Sequence, residues 1–290
     1  MRFVDGLKGS FGSLFLFGII KPVIKNKENR NMQPKIIFFD IDGTLVDFDE
    51  DTVHPAVLEA LAALQAKGTK LFLATGRPPY LVPKIDGFTF DGALCFNGAY
   101  SFDQNGVLVS EPIPKADVRR MAQNGEQIGV PALLAGAHTM GSNFYQKNLE
   151  DYMAFASHPD HVVDRDTFEK LLESDIYQVM AGTTAAQDPA YLAGTKGAQV
   201  MRWWDRACDI VPKGMDKGKG IERVLTAYGI DRSESAAFGD GGNDLAMLRA
   251  VGLGVAMGNA DPEVKAAADA VAPSVSEDGV AAAVKAFGWI

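Results

Sequence analysis

An apolar stretch of the sequence ends in two carboxylates one residue apart, Asp40 and Asp42, and these are followed by Gly43. The run Lys35 to Phe39 predicts a buried strand, because it is short, rich in β-branched and aromatic residues, and preceded by a proline. In open α/β sheets the ligand lies beyond the carboxyl ends of the strands, which is where this strand would place Asp40. An acidic turn is the alternative interpretation, since Asp-Gly is a common turn dipeptide.

A second group of carboxylates follows a later apolar strand. Ala236 to Phe238 leads into Gly-Asp-Gly-Gly-Asn-Asp, so that Asp240 follows the strand directly and Asp244 lies on the opening turn of a helix. Four carboxylates could therefore converge. Like charges at close range raise one another's pKa, so such a cluster normally persists because a cation neutralises it. A ligand set made only of oxygen atoms favours Mg²⁺, which commonly bridges to a substrate phosphate.

A lysine and a hydroxyl complete the groups that phosphoryl transfer requires. Lys217 precedes a predicted helix, whose N-terminal amides also favour an anion, and Thr75 follows the predicted strand Lys70 to Ala74. Taken alone, Lys217 is interpreted equally well as a surface lysine. Together with the aspartates, however, a metal, a lysine, a hydroxyl and free backbone amides indicate a site that holds a phosphoryl group in line with a nucleophile.

Composition narrows the class of protein. The chain has 290 residues, and its net charge of -9 argues against a nucleic-acid surface, so small molecules are the expected partners. Cys95 and Cys208 lie far apart in apolar stretches, which predicts buried free thiols and a cytoplasmic location. The glycine-rich stretches 214–220 and 252–258 match neither the P-loop nor the dinucleotide spacing. The sequence carries no signal of oligomeric state.

The elements around these residues predict an α/β fold with a doubly wound parallel sheet. A strand, a helix and a second strand follow one another from Lys35 to Ala74, which is typical of a right-handed parallel crossover. From 112 to 206 the alternation is looser and predicts an inserted α/β unit, with the first pattern resuming at Cys208 to Val211. The predicted core therefore comprises 32–111 and 207–290.

Residues 1–31 are predicted to be an N-terminal extension of uncertain status. The apolar run Phe11 to Ile20 is too short to span a bilayer, and no small-residue cleavage site follows it. Met32 stands just before the first predicted strand, so translation from there would yield a complete domain. Neither a membrane span nor secretion is expected.

Four segments of the chain resemble, in order, the four motifs of the haloacid dehalogenase superfamily. These segments are Asp40-Ile41-Asp42-Gly43-Thr44-Leu45, Ala74-Thr75-Gly76-Arg77, Lys217, and Gly239-Asp240-Gly241-Gly242-Asn243-Asp244. Two further segments, Asn97-Gly98-Ala99 and Met257-Gly258-Asn259-Ala260, resemble the Cof-like (subclass IIB) sugar-phosphate phosphatases of that superfamily. The resemblance runs from about Lys35 to the C-terminus. It implies a Rossmann-like core with a large α/β cap inserted between the second and third motifs.

The resemblance also implies catalytic and phosphate-binding roles. Asp40 would attack phosphorus to give an aspartyl-phosphate, and Asp42 would protonate the departing alcohol and then activate water. This division makes chemical sense, because an acid/base carboxyl must be protonated in one half-reaction and ionised in the next. Thr75, Gly76 and Lys217 would hold the transferring phosphoryl group.

The same resemblance implies a metal site. Asp40, the backbone carbonyl of Asp42 and Asp240 would ligate Mg²⁺. Asn243 and Asp244 would orient the metal shell or its water molecules.

Four residues outside these roles are candidates for contact with the substrate. Arg77 could reach a substrate anion, and Asn97 follows a predicted strand end. Arg202 and Trp203 lie near the end of the inserted unit, where Trp203 and Trp204 could stack on a sugar face. Packing within the cap is the alternative interpretation for the two tryptophans.

Hydrolysis of a small phosphorylated sugar is the predicted activity. Asp42 favours phosphatases and mutases, because dehalogenases of the superfamily lack the second aspartate and its ion-pumping ATPases carry Lys-Thr after the nucleophile. A phosphomutase would use the same residues. A non-catalytic sensor that binds a phosphometabolite is the other alternative, although a pure binder gains little from both Asp40 and Asp42.

Overall fold

The structure is a computed structural model that describes residues 23–24, 33–50, 52–155, 164–202 and 204–290. In these ranges the strands are β1 Val23–Ile24, β2 Ile36–Phe39, β3 Lys70–Ala74, β4 Gly92–Cys95, β5 Tyr100–Asp103, β6 Gly106–Ser110, β7 Leu133–Gly136, β8 Met140–Ser142, β9 Ile176–Ala181, β10 Ala198–Met201, β11 Cys208–Pro212, β12 Ser235–Gly239, β13 Leu253–Ala256 and β14 Ala270–Val271. The helices are α1 Pro55–Ala66, α2 Lys115–Ile128, α3 Lys147–Phe155, α4 Arg165–Leu172, α5 Asp188–Tyr191, α6 Lys217–Tyr228, α7 Leu245–Ala250, α8 Pro262–Ala267 and α9 Gly279–Ala286.

The larger sheet has the strand order β1-β14-β13-β12-β2-β3-β4-β5-β6. Its strands from β14 to β4 are parallel, so the predicted α/β class with a parallel sheet is confirmed. The central strand β2 pairs Phe39 with Phe238 of β12 on one side and with Leu73 of β3 on the other. Because these three strands run in the same direction and in register, the residues that follow them lie at one edge of the sheet.

The side chains of β2 alternate between two apolar layers, as period-2 geometry requires. Ile37 and Phe39 pack into the layer that contains α1 and α9, whereas Ile36 and Phe38 pack into the layer that contains α6 and α7. All four side chains are fully buried. A strand covered on both faces has no polar position, which explains why its sequence is a continuous apolar run.

The smaller sheet has the order β10-β11-β9-β7-β8 and is antiparallel throughout. The strand β11 pairs Cys208 with Ala181 of β9, and Asp209 with Met201 of β10. The sequence-based boundary that assigned 207 onwards to the core is therefore wrong for this strand. An apolar run predicts a buried strand but not which sheet it joins. We propose that the inserted cap ends after Pro212 rather than at 206.

The two sheets meet at Tyr177 of β9. Its ring stacks on Phe96 at a centroid distance of 5.6 Å and lies 4.9 Å from the ring of Tyr100. Its hydroxyl is 2.8 Å from the hydroxyl of Ser110. The smaller sheet is thereby packed against the turn that follows β4 of the larger sheet.

The structure describes part of the predicted N-terminal extension and both cysteines. Of the predicted extension, Val23–Ile24 pairs antiparallel with β14, and 1–22 and 25–31 lie outside the described residues. Cys95 and Cys208 are buried and free, as predicted. Within the described ranges, no helix combines the length and the apolar character that crossing a membrane requires.

His54 joins the loop that follows β2 to the start of α9. Its Nδ1 lies 2.8 Å from Asp278 Oδ1, and its Nε2 lies 2.6 Å from Glu50 Oε2. Both ring nitrogens can donate to carboxylates only when the imidazole is protonated. The hydrogen bond with Asp278 and then the one with Glu50 accordingly raise the pKa of His54 above its usual value of 6.5.

This arrangement predicts a stability contribution that depends on pH. Because the folded-state pKa of His54 is raised, its contribution is fully present below the unfolded-state pKa and is lost as pH rises through the folded-state pKa. We expect the unfolding free energy of wild type to exceed that of His54→Gln at about pH 5.5, with a smaller difference at about pH 9. Urea unfolding of both proteins at the two pH values measures this difference in unfolding free energy. In a Glu50→Gln background the difference should shrink, and a difference that is independent of pH would contradict the assignment.

Candidate active site

The predicted site residues from three strands converge at one edge of the larger sheet. Asp40 follows β2, Asp240 follows β12 and Thr75 follows β3. One carboxylate oxygen from each of Asp40, Asp240 and Asp244 can be chosen so that all three lie within 4.8 Å of one another. The expectation that carboxylates from distant parts of the chain come together here agrees with this geometry, except for the side chain of Asp42.

Lys217 is the cation at the centre of this group. It is the first residue of α6, which Asp216 caps by accepting a hydrogen bond from the backbone N–H of Lys219. The ammonium Nζ lies 2.7 Å from Asp40 Oδ1 and 2.6 Å from Asp244 Oδ1. The lysine side chain is completely buried. Such a charge is stable in the interior only with close partners, so the surface-lysine interpretation is wrong.

Asp244 orients the loop that carries Asp240. Its Oδ2 accepts hydrogen bonds from the backbone N–H groups of Asp240 at 2.9 Å and of Gly241 at 3.0 Å. Its Oδ1 accepts from Lys217. Both carboxylate oxygens are therefore used to hold the backbone and the lysine in place.

Asp240 is held by residues to which the sequence analysis assigned no role. Thr44 donates its hydroxyl to Asp240 Oδ1 at 3.1 Å, and the amide of Asn259 donates to Oδ2 at 3.3 Å and to the carbonyl of Gly43 at 2.8 Å. Gly43 has a φ of +80°, and a Cβ placed on it would lie 2.3 Å from Asp240 Oδ2. The signal for Asn259 was its place in the Met-Gly-Asn-Ala segment, which indicated a family but not a contact.

Three carboxylates face one ammonium, so the group carries excess negative charge. Burial and then the charge of Asp244 raise the pKa of Asp40 to about 8, against the lowering effect of Lys217. Burial and then Asp244 raise the pKa of Asp240 to about 6. Burial opposes the charge on Lys217, but Asp244 and Asp40 raise its pKa overall. A hard divalent cation would relieve this excess, and an oxygen-only donor set fits Mg²⁺ rather than zinc.

Asp42 lies beside this group but has a different partner. Arg77 Nη2 donates to Asp42 Oδ1 at 2.7 Å, and Arg77 Nε donates to Oδ2 at 3.2 Å. The Asp42 side chain is 45% exposed, whereas that of Asp40 is 12% exposed. The two carboxylates of the first motif thus occupy different environments, one buried beside a lysine and one facing outward.

The turn after β3, with Thr75 and Gly76, lies close to Asn97 in the turn after β4. The backbone N–H of Asn97 donates to the carbonyl of Thr75 at 3.1 Å, and a Cβ placed on Gly76 would lie 3.1 Å from Asn97 Nδ2. Asn97 has left-handed backbone angles, φ 52° and ψ 36°, which asparagine tolerates better than most residues. It is 3% exposed, and its Oδ1 has no hydrogen-bond partner among the residues that the structure describes.

Two predicted site residues in the described ranges, Arg202 and Asn243, are not part of the carboxylate group. Arg202 directly follows β10 of the smaller sheet, and its guanidinium donates to Asp188 Oδ1 at 2.6 Å and to the carbonyl of Ala207 at 2.9 Å. These contacts indicate a structural role for Arg202. Asn243 is exposed, and its Oδ1 lies over Gly241, 2.7 Å from where a Cβ would be.

Trp203, a further predicted site residue, lies outside the described residues. The neighbouring Trp204 contacts the ring of Tyr152 at 6.2 Å, and the guanidinium of Arg206 lies 4.3 Å from the Trp204 ring. For Trp204 these contacts favour packing within the cap.

Comparison with known proteins places this site in a family. A model of the haloacid dehalogenase-like hydrolases matches residues 37–284. YkrA of Bacillus subtilis (strain 168), provisionally assigned as a phosphatase, is 34% identical over 270 residues, which are 89% of this chain and 100% of YkrA. The pyridoxal phosphate phosphatase YbhA of Escherichia coli (strain K12) is 28% identical over 278 residues, covering 86% of this chain and 97% of YbhA.

Solved structures give a concordant result. The structure of the HAD subclass IIB sugar phosphatase BT4131 is 35% identical to this chain, with a TM-score of 0.77. The match covers 88% of this chain and 100% of BT4131. The predicted enzyme class, a phosphatase, is confirmed by the family and by these phosphatase relatives. With its motif positions all inside the matched residues, the chain belongs to the haloacid dehalogenase-like hydrolase family.

Proposed function

We propose that this protein is a Mg²⁺-dependent phosphomonoester hydrolase that acts on a small phosphorylated metabolite, a sugar phosphate, through an aspartyl-phosphate intermediate. The observation that carries the proposal is the buried Lys217 ammonium, 2.7 Å from Asp40 and 2.6 Å from Asp244. A lysine held against the attacking carboxylate lies beside the position that the transferring phosphoryl oxygens would take. Its positive charge can stabilise the negative charge that develops on those oxygens.

In the proposed reaction, one carboxylate is the nucleophile and a second carboxylate transfers protons. An oxygen of Asp40 forms a bond to phosphorus as the bond from phosphorus to the alcohol oxygen breaks, and Asp42 delivers a proton to that alcohol. Water then attacks the same phosphorus and gives its proton to Asp42, while the bond from phosphorus to the Asp40 oxygen breaks. Inorganic phosphate leaves, and Asp40 is restored as a free carboxylate. Thr75, Gly76 and Lys217 hold the phosphoryl group during both steps.

The metal site would be formed by Asp40, Asp240 and the backbone carbonyl of Asp42, with Asp244 and Asn243 orienting the surroundings. The three-carboxylate group supports this, because one oxygen atom from each carboxylate lies within 4.8 Å of the others. Mg²⁺, when bound, supplies positive charge that offsets the carboxylates and attracts the substrate phosphate. The residues that hold it are fixed by their own hydrogen bonds, as described above for Asp240 and Asp244.

The substrate class rests on the relatives and on the cap. BT4131 is named a sugar phosphatase and YbhA a pyridoxal phosphate phosphatase, so both kinds of ester belong in the test. A cap packed against the core is suited to choosing the leaving group, because it surrounds the part of the substrate beyond the phosphate. The two buried free thiols support a reducing, cytoplasmic location.

The experiment that tests this function is a panel of phosphomonoesters with Mg²⁺ present. It includes 4-nitrophenyl phosphate, hexose phosphates, nucleotides and pyridoxal phosphate, with kcat/KM measured by phosphate release. We expect turnover of 4-nitrophenyl phosphate and the highest kcat/KM on a hexose phosphate. No phosphate release from any ester would favour the non-catalytic sensor. Conversion of a sugar phosphate to an isomer without phosphate release would favour the mutase.

Metal binding is expected to stabilise the fold as well as support activity. Because Mg²⁺ would bind the folded chain, it should raise the melting temperature, by an amount equivalent to about 2.7 kcal/mol when its concentration is 100 times Kd. EDTA should abolish both the shift and the turnover. Asp240→Asn should lose most of the shift, whereas Asp205→Asn, which changes a cap carboxylate that is 84% exposed, should keep it. An equal shift in both variants would contradict the assignment of the site.

A further inference from the structure

We propose that Arg77 is a positioning residue for Asp42, and that it acts on the reaction through that carboxylate rather than by contacting the substrate. The inference rests on the proposed function, in which Asp42 donates and accepts the proton. Its basis is the two-point ion pair in which Nη2 and Nε of Arg77 bind the two oxygens of Asp42 at 2.7 Å and 3.2 Å. A bidentate pair sets both the place and the plane of a carboxylate.

Asp42 needs such a partner because of where it lies. Its side chain is 45% exposed, so packing alone does not restrict its rotamers as it restricts those of the buried Asp40. Across the described ranges, both hydrogen bonds to the Asp42 carboxylate come from Arg77. A proton donor must be held within hydrogen-bond reach of the leaving oxygen, and loss of its orientation lowers the rate.

Arg77 is itself anchored to the phosphate-binding turn. Its backbone N–H donates to Thr75 Oγ1 at 3.1 Å, and its carbonyl accepts from the backbone N–H of Phe96 at 3.1 Å. Its Nη1 donates to the carbonyl of Leu81 at 3.4 Å. The guanidinium is therefore fixed relative to Thr75, and through it the Asp42 carboxylate is fixed relative to the predicted phosphate position.

The same contacts argue against the earlier expectation that Arg77 reaches a substrate anion. Nε and Nη2 bind Asp42 and Nη1 binds Leu81, and the side chain is only 22% exposed. Three of the five guanidinium N–H groups are therefore engaged within the protein, two of them by Asp42. The structure therefore favours the positioning role.

The first test uses the chemistry of the leaving group. Nitrophenolate departs with little need for a proton, whereas a sugar alkoxide must be protonated as it leaves. In Arg77→Met we expect the ratio of kcat/KM on glucose 6-phosphate to kcat/KM on 4-nitrophenyl phosphate to fall by roughly 10- to 100-fold. Arg77→Lys should fall between this variant and wild type, because an ammonium cannot bind both oxygens in plane. The matched control is Arg223→Met, which removes another arginine paired to a carboxylate at 2.7 Å, and it should leave the ratio unchanged.

The second test is a double-mutant cycle with Asp42→Asn. If Arg77 acts through Asp42, adding Arg77→Met to Asp42→Asn should change kcat/KM on either ester by less than about twofold. The same loss in both backgrounds would show a direct substrate contact and overturn the inference. A uniform loss on both esters in the single variant, or no loss on either, would also overturn it. If wild type releases no phosphate from any ester, the proposed function itself fails, which is a distinct result.

Discussion

Replacing Asp40 with asparagine is expected to lower kcat for phosphate release by at least about 10⁴-fold, because the amide cannot form the covalent intermediate. The substitution should impair the chemical step and leave the folded structure intact. Asparagine is the same size as aspartate, and Lys217 keeps Asp244 as a partner at 2.6 Å. Steady-state phosphate release and a burst assay with 4-nitrophenyl phosphate measure the effect. More than about one per cent residual turnover in Asp40→Asn would contradict nucleophilic attack by this residue.

The same substitution should change how stability depends on pH. In the metal-free protein the pKa of Asp40 is raised from its ordinary value of 3.8 to about 8, chiefly by burial. A raised carboxyl pKa means that the folded state holds its proton more tightly than the unfolded state does, so stability falls as pH rises between these values. The amide introduced by the substitution cannot ionise. We therefore expect the unfolding free energy of Asp40→Asn, relative to that of wild type, to increase as pH rises from about 4 to about 8 in EDTA. Urea unfolding of both proteins across this pH range measures the difference.

Replacing Lys217 with methionine is expected to cost about 3–5 kcal/mol of unfolding free energy and to abolish turnover. The physical reason is that Asp40 and Asp244 would then lie buried together without a cation. Urea unfolding at neutral pH in EDTA gives the stability, and phosphate release gives the activity. Mg²⁺ should restore part of the stability, because it supplies positive charge to the same carboxylates.

Two further variants separate charge balance from general damage. Lys217→Met combined with Asp244→Asn removes one positive and one negative charge, so it should recover part of the stability but none of the activity. Lys219→Met changes a nearby lysine of the same helix that is 54% exposed, and it should alter stability by no more than about 0.5 kcal/mol. A stable Lys217→Met variant would show that the lysine does not balance the buried carboxylates.

Elements with a strong local pattern were predicted well from the sequence. The strand Lys70–Ala74 has the bounds that were predicted, and β2 differs by one residue. Each is an apolar run bounded by turn residues, so local composition suffices. The hairpin of β5 and β6 was not predicted. Its outer strand pairs on one side and is largely exposed, and its apolar run, Val107-Leu108-Val109, is only three residues long.

Strand pairing is where sequence reasoning went wrong. The strand Cys208–Pro212 was recognised as a strand but assigned to the core, whereas it pairs with two strands of the smaller sheet. Cys208 and Ile210 of this strand pack into the apolar layer that contains α2 and α4. The same apolar residues could equally have packed into a layer of the larger sheet, so the sequence pattern did not distinguish the two sheets. Which sheet receives a strand depends on the partner edge that is available in space, and that is a property of the tertiary structure.

The sequence by itself determined the kinds of groups at the site and their places at strand ends. Asp40 and Asp42 are one residue apart, so they leave the same strand end, and Asp240 leaves the end of another apolar strand. Only the tertiary structure decided the partner of each carboxylate. Lys217 reaches Asp40 across 177 residues of chain, and Arg77 binds Asp42 across 35. The reason is that an ion pair depends on distance and burial in three dimensions, which spacing along the chain does not specify.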